Sequence, residues 1–211
     1  MLEQTQTILW RQVAGHPGLY VFLIVLFAAG AAFGALATGA LDADQRGELV
    51  QYLEHFLAAF EGEQPAPPAP EIFRAALAVY LRTMGIMLAL GLTVVAAWAV
   101  PVVVFLRGFI LGFAVGFLVS HFSWTGLLIS LLAVLPQNLL AVPAVVLTAG
   151  AAVAFALAVA RHGRRDAAAI MGAGRRLALI TVLSLLAVTL ASFMEGYLAP
   201  VLLRLISAWR P

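Results

Sequence analysis

Hydrophobic positions run almost without interruption through five parts of this chain, 19–40, 85–106, 109–122, 125–160 and 177–203. A helix needs roughly 20 residues to cross a hydrocarbon core, so each run predicts a membrane-crossing helix. Barrel strands would instead alternate over about 10 residues. One run is out of proportion. Thr125 to Ala160 holds no ionisable group, is too long for one upright crossing and too short for two with a loop. Near its middle stands Leu135-Pro-Gln-Asn-Leu-Leu-Ala-Val-Pro143. Pro136 and Pro143 each lack an N–H and crowd the preceding turn, which predicts a break, kink or partial re-entry there.

Polar positions punctuate these runs in three places. Met1 to Gly15 carries Ile8, Leu9, Trp10 and Val13 at helical spacing and predicts an interfacial helix or the start of the first span. The insert 41–84 has Leu49, Leu53, Phe56, Leu57 and Phe60 on one stripe of an amphipathic helix, with Asp42 placed to cap it three residues before Gln45. Its QPAPPAP segment, Gln64 to Pro70, predicts an extended spacer, and Phe73, Leu77, Tyr80, Leu81 and Met84 then resume helical spacing into the second span. The loop 161–176 is the third polar stretch, with Arg161, Arg164, Arg165, Arg175 and Arg176 against Asp166.

Composition settles the class. The 211 residues are 64% hydrophobic and 10% charged, with a mean hydropathy of +1.04, far from the roughly 25% charge of soluble domains. The expectation is an all-α polytopic membrane protein, a single membrane domain over 1–211 with about five transmembrane helices, one of them broken at the Pro-Gln-Asn element. Cysteine is absent, which excludes disulfides and thiolate chemistry. Charge sets the orientation. Basic loops stay cytoplasmic, so 161–176 and Arg107 are placed inside. The acidic insert 41–84, with Asp42, Asp44, Glu48, Glu54, Glu61, Glu63 and Glu71, goes outside. The amino terminus is then cytoplasmic and the carboxyl terminus extracytoplasmic in the cell membrane.

Polar groups at membrane depth are the candidates for chemistry, because they are costly there. Gln137 and Asn138 either cover carbonyls freed by the prolines or serve as polar contacts in a cavity between broken helix ends. Glu195, ahead of Pro200 in the last span, is either a headgroup-level carboxylate or one that faces the bundle interior. His121 beside Trp124 reads as an aromatic-belt neighbour. A metal held by Glu195 and His121 would need further ligands, so no cofactor is assigned. Gly30 and Gly34, and again Gly112 and Gly116, make smooth faces for helix packing within the chain or in a homodimer. Phosphate-loop, hydrolase-elbow and zinc-protease motifs are missing, as is a basic stripe for nucleic acid, so no catalytic residue is named.

Arg107-Gly-Phe-x-x-Gly-Phe-x-x-Gly-Phe, Leu135-Pro-Gln-Asn-Leu-Leu-x-x-Pro and Ala191-Ser-Phe-Met-Glu-Gly-Tyr-Leu-x-Pro resemble, in order and spacing, the stage II sporulation protein M family of bacteria. The resemblance covers about Leu19 to Leu205. It implies a non-enzymatic membrane protein that localises a peptidoglycan lytic transglycosylase and an amidase/endopeptidase while the mother cell engulfs the forespore. A broader related group is similar but carries Pro-His-Gly-x-x-Glu at the break. Gln137, Asn138 and Ala141 stand at those positions here, which weakens a metal site carried over from that group. As partner surface the amphipathic stripe Leu49, Leu53, Phe56, Leu57 and Phe60 is expected, reaching to a partner, the membrane lipid or the bundle's outer end. Two other classes compete: a membrane subunit of an ABC-type exporter, and an intramembrane metal-binding protein.

Overall fold

The computed structural model describes residues 13–61, 67–162 and 166–207, and side chains at 56, 57, 59–61 and 205–207 are not described. The expected interfacial helix at the amino terminus therefore lies almost wholly outside the described residues. The α-helices that lie wholly within the described residues are, in order, α1 Pro17–Ala37, α2 Ala43–Glu61, α3 Ala69–Leu92, α4 Val100–Ile129, α5 Leu135–His162, α6 Ala167–Phe193 and α7 Ala199–Ser207. No strand occurs among the described residues.

Four stretches are long and apolar enough to cross a membrane: Pro17–Ala40, Ala69–Leu92, Val94–His162 and Ala167–Arg204. The third is 69 residues long and doubles back at Ser123, whose backbone (φ 49°, ψ −119°) leaves the helical region inside α4. After that turn Gly126 packs directly on the Leu118 carbonyl. The polypeptide thus makes five passes, as an all-α bundle.

The passes are not divided where hydropathy places them. The run at 85–106 is split by a 3-10 turn, Val94–Ala99, so the second pass is 69–92 and the third starts at Val100, with Pro101 at its first turn. The turn is made of apolar residues and Trp98, so hydropathy cannot mark it. Residues 69–84 run unbroken into the second apolar helix, as their helical spacing predicts, so the insert ends before Ala69. One correction follows: Arg107 lies inside α4 rather than at a boundary between two spans. At the acidic end of the bundle, Asp42 and Gln45 cap α2 reciprocally: the Gln45 amide donates to Asp42 Oδ1 at 2.8 Å and the Asp42 amide to Gln45 Oε1 at 3.4 Å.

Glycine sets the closest contact. α1 and α4 run parallel, with Gly30 and Gly34 against the carbonyls of Phe105 and Phe109, and Gly108 and Gly112 against those of Phe27 and Ala31. A Cβ at any of these four positions would collide with backbone, so the helices sit backbone to backbone. This seam lies within the chain and is closed to a second copy. α5 runs antiparallel to α6, joined through Ala141, Ala144 and Val188 at one end and Ala151, Ala152 and Ile180 at the other. Between the pairs, Tyr20, Leu23, Met87, Val100, Val104 and Val145 form the central core.

Neither proline of the nonapeptide breaks the helix. α5 runs through Pro136 and Pro143, and a π turn, Ser130–Val134, precedes it, with the Leu135 amide bonded five residues back to Ser130. The same device recurs at Met194–Leu198, where the Ala199 amide bonds to Met194, one residue ahead of Pro200. A proline removes one N–H and pushes on the carbonyl four residues earlier. Widening the turn by one residue absorbs both effects without ending the helix. The break expected within 125–160 is therefore absent: after the turn at Ser123 the helix runs on through this π turn to His162.

Candidate functional site

The two π turns pack against each other, and the polar residues beside them face one cavity of about 250 Å³. Its walls come from all five passes and include Phe27 of α1, Tyr80 of α3, Arg107 and Leu111 of α4, Gln137, Asn138 and Ala141 of α5, and Glu195. Phe27, Tyr80 and Arg107 are well inside their spans, so the cavity lies at membrane depth.

Arg107 is fixed by α3. Its Nη2 donates to the Val79 carbonyl at 2.9 Å and to the Thr83 hydroxyl, while that hydroxyl donates to the same carbonyl at 2.9 Å. The guanidinium carbon stands 5.2 Å from the centroid of the Tyr80 ring, a cation–π distance. A guanidinium carries five N–H donors, so those not on Nη2 remain for the cavity. Glu195 lines the same cavity from the last pass, and each charge lies in the other's field. No hydrogen bond or ion pair joins the two.

Asn138 and Gln137 divide the work between them. Asn138 Nδ2 donates to the Val134 carbonyl at 2.8 Å, covering the end of the π turn. Gln137 is 7% exposed and lines this cavity together with a second one of about 180 Å³. That second cavity is apolar, walled by Ile72, Leu118, Ile129 and Leu203 and closed by Leu53 of α2. Glu195 stands between the two, exposed to both. Gly196 makes its position attainable, since a Cβ there would meet Phe73 and the Ala69 carbonyl of α3.

The remaining candidates fall elsewhere. His121 ends a stack formed with Phe109, Phe113 and Phe117 along α4 and lines neither cavity, so it is not brought to Glu195. No group of three or more His, Cys, Asp or Glu suited to a metal occurs among the described residues. Leu53 packs on Leu118, Ile129 and Leu203 at the end of the bundle, and Leu49 is half-buried. The side chains of Phe56, Leu57 and Phe60 lie outside the described residues. Arg107, Tyr80 and Thr83 were not singled out as site residues from the sequence. The signal was present in Arg107: five apolar residues precede it and Phe109 to Leu111 follow Gly108, the surroundings of a membrane-depth charge.

Chemically the site is a polar chamber holding one cation, one carboxylate, a phenol and a free amide in apolar walls. It can hold water or a small polar group between opposite charges, and it joins α3, α4, α5 and the last pass. No curated protein and no solved structure matches the chain. The family described as stage II sporulation protein M matches residues 23–200, a range that holds every residue of the chamber. The chain therefore belongs to the stage II sporulation protein M family, and is a sporulation-related membrane protein.

Proposed function

We propose that the protein is a membrane scaffold without catalytic chemistry of its own, which localises peptidoglycan-degrading enzymes, a lytic transglycosylase and an amidase/endopeptidase, during engulfment of the forespore. The observation that carries this reading is the seat of α2. Leu53 anchors the helix on the bundle end away from the basic loop, while Asp44, Glu48, Gln51, Tyr52, Glu54 and His55 are exposed. Tyr52 is 72% exposed, an aromatic of the type enriched in recognition surfaces, and the charges around it keep this face in water rather than in lipid.

This changes which side of α2 meets the partner. Leu53 is used internally, so the docking face is the acidic one with Tyr52 at its centre. Arginine-rich loops remain cytoplasmic, which puts α2 on the wall side of the membrane, where the enzymes act. The polar chamber serves the scaffold by holding the passes together. The test is complementation in a sporulating bacterium that lacks its own copy of the family member. The chain is expected to restore focal localisation of a fluorescently tagged wall hydrolase at the engulfing membrane. A diffuse hydrolase despite normal membrane insertion of the chain contradicts the reading.

A further inference from the structure

Arg82 lies near the midpoint of α3, a 24-residue helix that is apolar enough to cross the membrane. Its side chain is exposed, on the side away from Tyr80, which is buried in the chamber wall. Among the described residues no hydrogen bond, ion pair or ring contact engages it. At 1.5 Å per residue the helix end at Leu92 is about 15 Å away, farther than a snorkelling arginine stem extends. A permanent cation facing hydrocarbon at that depth is costly unless a counter-charge meets it. Arg107, the other deep arginine, is supplied with a hydroxyl, a carbonyl and an aromatic ring, and Arg82 with none of these.

We propose that the outer face of α3 around Arg82 docks a transmembrane helix of a different protein, one that carries a carboxylate at mid-membrane. Charge complementarity selects this occupant. A second copy of the chain offers only Glu195 as an acid at depth, and Glu195 is turned into its own chamber. Lipid offers no anion at the centre of the bilayer. The surface also admits a helix closely: Gly85, one turn from Arg82, has open space where a Cβ would be, and Val79 and Ile86 flank the arginine at 53% and 46% exposure.

The proposal deepens the scaffold reading by giving it an intramembrane contact, and its test uses no wall enzyme, so the two can fail separately. The purified chain in lipid vesicles is mixed with a fluorescent polyleucine helix bearing one central glutamate. Energy transfer reports association, with central-glutamine and terminal-glutamate helices as controls. The expected result is association about tenfold tighter for the central glutamate than for either control, lost with Arg82→Leu and with Arg82→Gln at unchanged helicity. Equal association of the three helices with the unaltered chain overturns the proposal and needs no variant. Self-association of the chain that is abolished by Arg82→Gln overturns it in favour of a second copy.

Discussion

Arg107 and Glu195 face one chamber from α4 and the last pass without touching, so each stabilises the other through space. In a low-dielectric interior this attraction is stronger than in water, and removing one member leaves the other uncompensated. Glu195→Gln and Arg107→Met are each expected to cost about 1–3 kcal/mol. The double variant should cost less than their sum by about 1 kcal/mol. Thermal unfolding in detergent of the four proteins gives this coupling, and strict additivity would show that the charges act independently.

The seam between α1 and α4 makes a steric prediction. Gly34→Leu or Gly112→Leu drives a side chain into the facing backbone, which forces α1 and α4 apart. Loss of at least about 3 kcal/mol, or failure of the protein to accumulate in the membrane, is expected, at the upper end of overpacking costs. Gly18→Ala, where a Cβ meets nothing within 4 Å, should leave stability unchanged. Membrane abundance and unfolding temperature separate the two outcomes.

Ser123 holds the single positive φ of a non-glycine residue among the described residues, at the turn that folds the third apolar stretch in two. An L-residue is strained there, whereas glycine is not. Ser123→Gly is expected to stabilise by up to about 1 kcal/mol, the greater freedom of glycine in the unfolded chain offsetting part of the gain. Ser123→Val should destabilise. Unfolding midpoints that fall in the reverse order would place the turn elsewhere.

Because the chain has no cysteine, single substitutions report on orientation. Asp44→Cys in α2 and Gly172→Cys in the basic region of α6, both at exposed positions, should react with a membrane-impermeant maleimide from opposite sides. The α2 position is expected to react in intact cells and the α6 position only after permeabilisation. Labelling of both in intact cells would remove the five-pass topology.

Much of this architecture is legible in the sequence where one local cause dominates. The reciprocal cap of Asp42 and Gln45 is such a case, since three residues fix it, and the four-residue glycine spacings identify helix seams in the same way. Boundaries between spans were not legible. Val94–Ala99 turns the chain with residues as apolar as the helices beside it, while Arg107-Gly108 imitates a loop although both are inside a helix. The chamber depends on contacts between distant segments, since Arg107 meets Thr83 only when α3 and α4 lie side by side. Pro136 and Pro200 announce a local disturbance, but whether the helix breaks or widens depends on packing on all sides, and here it widens.

The exposed face of α2 is where a scaffold would hold its enzymes, and co-purification from sporulating cells measures that hold. The chain with Glu48→Lys and Tyr52→Ala is compared with the unaltered chain at equal membrane abundance, by the amount of peptidoglycan transglycosylase and amidase recovered with each. The unaltered chain is expected to retain both enzymes and the variant neither, with the helix bundle intact by circular dichroism. Equal recovery with the two proteins would contradict the scaffold reading.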